Sequence, residues 1–352
     1  MHMADALISP TVGGVMWTAT AVLIGYSSKK VKQEMDQSKV PLMGVAAAFI
    51  FAAQMINFTI PATGSSGHLG GGLIMAILLG PYAAFLAMAS VLTVQALFFA
   101  DGGLLALGCN IFNLGFFPCF IAYPLIFKTI AGLQPSRGKI ITGSLIAAIV
   151  GLQLGAFAVV LETLFSGISS LPFGTFVLLM QPIHLGIGIV EGLATAAVVL
   201  FVWQARPEII QAAAGSKPYG SFSTRNVLAG LAVATIVIGA IFSWFASGHP
   251  DGLEWSMFKT SGHEELETPG AEVYDKLAGL QERTAFLPDY GFKTAEQDEA
   301  QHEAEEAWPA VQAGTSVSGL IGSVLTLLLA TLIAFVLKRR KTATAQITVR
   351  KP

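Results

Sequence analysis

Gly72-Leu73-Ile74-Met75-Ala76-Ile77-Leu78-Leu79-Gly80-Pro81-Tyr82-Ala83-Ala84-Phe85-Leu86-Ala87-Met88-Ala89-Ser90-Val91-Leu92-Thr93-Val94-Gln95-Ala96-Leu97-Phe98-Phe99 carries no Asp, Glu, Lys or Arg. As one helix, the run 72–99 would cross a bilayer once. Gly80-Pro81 argues against that, because proline cannot continue a helix and glycine supplies a turn. The run therefore reads as two short helices joined by a turn near the cytoplasmic side. They are too short to face lipid alone and belong among neighbouring helices.

The rest of the chain requires this division. Of 352 residues 53% are hydrophobic and 12% charged, and the mean hydropathy is +0.66, which marks an integral membrane protein. Candidate spans lie at 12–27, 41–60, 72–99, 105–127, 140–165, 176–203, 226–246 and 316–337. Basic residues sort into four loops. Lys29, Lys30, Lys32 and Lys39 follow the first span, and Lys128, Arg137 and Lys139 follow the fourth segment. Arg206, Lys217 and Arg225 follow the sixth, and Lys338, Arg339, Arg340 and Lys341 the last. The positive-inside rule makes all four cytoplasmic and puts the N-terminus outside. His68 then lies outside and Lys128 inside, a parity met only if 72–99 contributes two helices. The predicted fold is all-α, with about nine transmembrane helices: a seven-helix bundle plus two C-terminal helices, N-terminus out and C-terminus in.

Composition divides the chain into a membrane bundle over 1–205, a cytoplasmic linker over 206–225, and a region 226–352 in which two helices flank an acidic extracytoplasmic stretch, 247–313. That stretch holds fifteen of the 22 acidic residues but only Lys259, Lys276, Arg283 and Lys293 as bases. Val273–Leu280 and 294–307 read as solvated helices. The stretch is either a soluble loop kept outside by its charge or a surface that attracts cations and docks on the membrane core.

The chain begins Met1-His2-Met3. A free terminal amine, the backbone nitrogen of residue 2 and Nδ1 of His2 can close one five-membered and one six-membered ring around a cation. Planar nitrogen ligation suits Ni(II) or Cu(II). The candidate for the fourth corner is His68, in Thr63-Gly64-Ser65-Ser66-Gly67-His68, which the topology brings to the same face. No signal-peptide pattern precedes this start, so Met1 is expected to be retained.

Glu162, His184 and Glu191 are ionisable groups inside predicted spans and hence candidates for function. His184 and Glu191 are seven residues apart and share one helix face, which suits an interhelical hydrogen-bond pair or, alternatively, metal ligation. The amide pairs Gln54/Asn57 and Asn110/Asn113 can fasten helices or orient a ligand such as His68. Cys109 and Cys119 read as small buried residues. No phosphate-binding G-x-x-x-x-G-K-[ST] loop, H-E-x-x-H or G-x-S-x-G occurs. An enzyme is therefore not expected, and neither is ATP hydrolysis by such a loop or a nucleic-acid partner.

Met1-His2-Met3-Ala4-Asp5-Ala6-Leu7-Ile8-Ser9-Pro10, Gly64-Ser65-Ser66-Gly67-His68, Phe99-Ala100-Asp101-Gly102-Gly103-Leu104-Leu105-Ala106-Leu107-Gly108-Cys109-Asn110 and His184-Leu185-Gly186-Ile187-Gly188-Ile189-Val190-Glu191-Gly192 together resemble the nickel/cobalt substrate-binding components of energy-coupling factor transporters, the NikM/CbiM family. The resemblance covers about 1–205. The remainder, with His249-Pro250-Asp251-Gly252-Leu253-Glu254-Trp255 and Leu287-Pro288-Asp289-Tyr290-Gly291-Phe292, resembles the small PDGLE-type partner subunit fused in one chain.

This resemblance implies a bundle with the N-terminus threaded in as ligand. Met1 gives its amine, His2 its amide and imidazole, and His68 the fourth nitrogen. Asn57, Asn110, His184 and Glu191 are left as orienting or structural groups. It implies a plasma-membrane metal importer whose partners are a transmembrane coupling subunit and cytoplasmic ATPases, with Ni(II) or Co(II) as substrate and no catalytic cofactor. The opening Met-His-Met-Ala-Asp-Ala leans toward nickel. The rival readings are a stand-alone secondary permease and an intramembrane metalloenzyme.

Overall fold

The computed structural model describes residues 2–34, 39–132, 134–215, 223–263, 266–293 and 308–349. Met1, Lys217 and the 294–307 stretch read as helical lie outside these. The elements are α1 (Pro10–Glu34), α2 (Lys39–Gln54), an antiparallel pair β1 (Phe58–Ile60) and β2 (Ser65–Gly67), α3 (Gly72–Leu79), α4 (Pro81–Phe99), α5 (Leu107–Ala131), α6 (Arg137–Ser166), α7 (Phe173–Ala205), α8 (Pro207–Ala214), α9 (Arg225–Ala240), α10 (Gly252–Ser261), α11 (Glu272–Thr284) and α12 (Ala313–Val349). The fold is mostly helical, as the hydropathy requires.

Gly80 ends α3 at φ +79°, and Pro81 opens α4 at a position where a missing N–H costs nothing. The break falls where the sequence puts it, but the halves are unequal. The eight residues of α3 reach only about 12 Å, well short of a bilayer core. All eight are buried, and α3 packs against α2, α4, α5, α6, α7 and α8 as the hub of the bundle. The second half, α4, has 19 residues and is long enough to cross.

Five helices are long and apolar enough to span a membrane: α4, α5, α6, α7 and the Ala313–Lys338 part of α12. The 16-residue α2 and α9 are apolar but shorter. Length and composition thus support five spans among the described residues, and the nine expected from the sequence are not confirmed by them. The expected span 41–60 also stops early, because α2 ends at Gln54 and residues 58–60 form a strand. The all-α reading therefore gains one small hairpin, and it is this hairpin that delivers His68. Within α5, Phe112–Phe127 is π-helical and contains Pro118 and Pro124, whose missing donors remove hydrogen bonds that a regular α-helix would need. The linker expected over 206–225 opens with α8, whose Ile209, Ile210 and Ala213 are buried. Lys39, read as a loop base, begins α2 with a side chain only 2% exposed, close to the Gly80 turn.

The C-terminal pair packs on the bundle. Helix α12 lies along α2, and α9 touches both. Small residues allow this close approach: a Cβ at Gly44 would overlap the Thr331 hydroxyl and come within 3.1 Å of the Leu327 carbonyl. Gly44→Leu is therefore expected to destabilise the protein by about 1–3 kcal/mol through overpacking, read as a lower thermal midpoint in detergent. Gly14→Ala, inside α1 at a position with nothing near its Cβ, should not lower the midpoint and should raise it slightly, since alanine favours the helix.

Candidate metal centre

The start of the chain runs into the bundle. Met3 is fully buried. Its N–H donates to Asn110 Oδ1 at 2.8 Å, its carbonyl accepts from Asn110 Nδ2 at 3.2 Å, and Gly103 N–H donates to the same carbonyl at 2.9 Å. Two residues on, Asp5 Oδ1 accepts from Ala106 N–H at 2.9 Å. Ala6, Leu7 and Ile8 are buried, and the Ile8 carbonyl accepts from the Tyr274 hydroxyl at 2.9 Å. The segment 99–110 acts as a cradle for this N-terminal segment, in which Asp5–Leu7 forms a short 3-10 turn. Gly102, at φ +82°, has no room for a side chain, since a Cβ there would come within 2.8 Å of Asn110 Nδ2.

These contacts hold His2 with its side chain 8% exposed. The loop after β2 brings His68 alongside. The two imidazole rings lie 5.0 Å apart, centroid to centroid, with planes 7° from parallel. The rings are stacked, and imidazole binds a metal at about 2 Å through a lone pair in its own plane, so the orientation of each ring nitrogen matters as much as the spacing. Burial pushes the His68 imidazole down to about 3, which keeps it neutral at physiological pH, the form that binds metals. His68 Nδ1 lies 3.0 Å from the Leu69 carbonyl, which favours a proton on Nδ1 and a lone pair on Nε2.

His2 departs from the sequence expectation at one atom. Its Nδ1, the nitrogen needed for the six-membered chelate ring, lies 3.1 Å from Asp101 Oδ1, and its buried Nε2 has no hydrogen-bond partner. Burial works against the charge of Asp101, but the His2 imidazole and the Tyr290 hydroxyl, which donates to Oδ2, hold that carboxyl below the ordinary carboxylate range. Among the described residues no group of three His, Cys, Asp or Glu side chains is arranged to hold a metal. An ion held between the two imidazoles must therefore draw further donors from the main chain or from solvent.

The pair opens onto a vestibule of about 740 Å³ whose lining includes Asp5, Asn57, Asp101, Asp251 and Glu254. The described part of the acidic stretch 247–313 forms its outer wall. Ser66 N–H donates to the Pro250 carbonyl at 2.8 Å, Ser66 Oγ to the His249 carbonyl at 2.8 Å, and Trp255 Nε1 to the Thr63 carbonyl at 3.0 Å. Asp251 caps α10 by accepting from Leu253 and Glu254 N–H, while Glu254 accepts in return from Asp251 N–H. Gln281 Nε2 donates to the carbonyls of Ala96 and Gly102. The described residues of the stretch are docked on the bundle through these contacts.

The remaining expected residues fall out as follows. Asn110 pairs with the main chain of Met3. Asn57 contributes its carbonyl, which accepts from Ser247 N–H at 2.7 Å. His184 and Glu191 share a face of α7 but do not pair with each other. Glu191 accepts from Gly70 and Gly71 N–H. His184 Nδ1 is 2.8 Å from its own helix at the Met180 carbonyl, and its Nε2 is buried without a partner beside a cavity of about 10 Å³ that His68 also lines. The amide pairs divide too: Gln54 Nε2 donates to the Gly70 carbonyl, and Asn113 Nδ2 to Glu162 Oε2. Asp101 and Tyr290 are contacts that residue-by-residue reading missed. Asp101 stood in a motif carrying resemblance alone, and no spacing rule joins residue 290 to residue 2.

Comparison with known proteins follows this geometry. Residues 2–209 match the model for CbiM, the cobalt uptake substrate-specific transmembrane region, and residues 225–339 match the PDGLE domain. A protein of Archaeoglobus fulgidus named for fused nickel transport (NikMN) is 33% identical over 94% of this chain and 96% of its own length. One of Haloquadratum walsbyi named for metal transport is 40% identical over 60% of this chain and 93% of its own. The crystal structure of a truncated transition metal transporter superimposes with a TM-score of 0.52 at 31% identity, covering 58% of this chain and 99% of that one. With its first 209 residues matching CbiM and a PDGLE domain behind them, the chain belongs to the CbiM family of nickel and cobalt transport proteins, in the form fused to its PDGLE partner.

Proposed function

We propose that this chain captures Ni(II), or Co(II), at the outer face of the plasma membrane through four nitrogens: the Met1 amine, the backbone nitrogen and Nδ1 of His2, and Nε2 of His68. The observation that carries this reading is the pair of half-buried imidazoles 5.0 Å apart at the start of an N-terminal segment bound into the bundle by Asn110. In the resting geometry His2 Nδ1 is turned to Asp101. A half-turn of the ring about Cβ–Cγ frees Nδ1 for the ion and brings the unpartnered Nε2 round toward the same carboxylate. The result is a carboxylate–histidine–metal arrangement that fixes ring orientation and strengthens the donor. The acidic vestibule raises the local cation concentration on the way in.

In this reading the N-terminus and the PDGLE-type part lie outside, the C-terminus is cytoplasmic, and nine apolar helices, α3 included, build the membrane part. The chain has no phosphate-binding loop, so the energy for import comes from partners: a transmembrane coupling subunit and cytoplasmic ATPases of the energy-coupling factor type. The alternative is a stand-alone secondary permease, with buried Glu162 as its coupling group.

Adding one residue before Met1 moves the amine and breaks the chelate ring. Nickel binding should fall by orders of magnitude while the thermal midpoint of the purified protein holds. Wild-type affinity in the extended, folded protein would sink the four-nitrogen site. His2→Ala and His68→Ala should each remove most of the affinity, and the double variant little more, since residues acting on one ion are not additive. Fully additive losses in equilibrium dialysis would instead mean two independent sites. The chain alone in proteoliposomes should bind metal yet not accumulate it. Sustained uptake without any ATPase would favour the permease.

A further inference from the structure

Glu191 is 3% exposed and lies in mid-course of α7, where a carboxylate is costly unless its oxygens are satisfied. Its partners are not on another transmembrane helix. Oε2 accepts from Gly70 N–H, and Oε1 from Gly71 N–H at 2.9 Å, two consecutive backbone donors immediately beyond His68-Leu69. Gly71, at φ +77°, is the residue that caps α3, so the carboxylate sits at that helix's positive end in a nest of main-chain donors. The same turn is tied from another side: Gln54 Nε2 donates to the Gly70 carbonyl at 2.8 Å, and Gln95 Nε2 to Gln54 Oε1 at 2.9 Å. Glycine at 71 makes this possible, because a Cβ there would come within 2.5 Å of Ile50.

We infer that Glu191 is the positioning residue of the metal centre: by clamping Gly70 and Gly71 it fixes His68, and through that fixed imidazole it sets selectivity for a metal that demands planar four-nitrogen ligation. The inference rests on the four-nitrogen reading above. A planar ion needs its fourth donor in the plane of the other three, so a His68 that wanders breaks the site. Zn(II) has no geometric preference of its own and tolerates the loose arrangement. Functional sites hold their donors to within about 0.5 Å, and the groups behind the ligands provide that tolerance. Glu191→Gln replaces one acceptor by an NH₂ facing an N–H. Glu191→Asp keeps the charge but, one methylene shorter, loses reach to both donors at once.

The test uses the full chain with its native N-terminus, titrated separately with Ni(II), Co(II) and Zn(II) against a competing chelator, and the absorption spectrum of the Ni(II) form. Glu191→Gln is expected to lose about 10- to 100-fold in nickel affinity and much less for Zn(II), so that the nickel-to-zinc ratio falls. The Ni(II) spectrum should move from the planar type toward a higher-coordinate type. Glu191→Asp should do the same and serves where the Gln variant fails to fold. The inference is overturned if either folded variant binds all three metals as the wild type does. It is equally overturned if affinity falls by the same factor for every metal with the Ni(II) spectrum unchanged, the mark of a merely structural carboxylate. The wild-type spectrum separates the two levels of the argument: a non-planar Ni(II) site there refutes the four-nitrogen reading and this inference with it, whereas a planar one leaves the variants to decide on Glu191 alone.

Discussion

The buried amide of Asn110 holds the beginning of the chain inside the protein. It accepts from the N–H of Met3 and donates to the carbonyl of the same residue, as a neighbouring strand would. A main-chain segment taken out of water needs both its donors and its acceptors paired, and each buried group left unpaired costs about 1–3 kcal/mol. Without Asn110 and Gly103 the Met3 peptide would be buried and unpaired, and the favourable place for residues 2–8 would be the solvent. With them, a terminal segment of the kind most proteins leave loose is held in place as far as His2.

The other half of the centre solves the same problem with a different group. His68 sits in a loop between α2 and α3 whose neighbouring backbone is buried, and buried irregular backbone is tolerated only where its polar groups are paired. Here the pairing comes from all sides. Glu191 of α7 and Gln54 of α2 take the residues after His68, and the Pro250 and His249 carbonyls take Ser66 before it. The short, wholly buried α3 then starts where this loop ends, which ties the loop to the centre of the bundle.

The PDGLE-type part belongs to the same system of contacts. Tyr290 reaches Asp101, which reaches His2; Tyr274 reaches Ile8; Gln281 reaches Gly102. Each contact ends on the segment 2–8 or on the cradle that holds it. Fusion therefore does more than keep two subunits together: the second part closes over the first at the point where the N-terminus enters.

The sequence by itself determined the membrane class, the break at Gly80-Pro81, the family motifs and the meeting of His2 with His68. These follow from local chemistry, because hydropathy, loop charge, proline and glycine act through the residues nearest to them; the two histidines, expected on one face, lie with their rings 5.0 Å apart. Only the tertiary structure decided that α3 has eight residues and serves as a hub, that residues 58–67 form a hairpin, and that Lys39 is buried. It alone decided as well that His184 and Glu191 part company, and that Asp101 and Tyr290 stand behind His2. Each of these is a pairing between residues tens to hundreds of positions apart. A carboxylate in an apolar helix announces that it must have a partner; which backbone amides provide it depends on how the helices cross, and that is a property of the packed bundle.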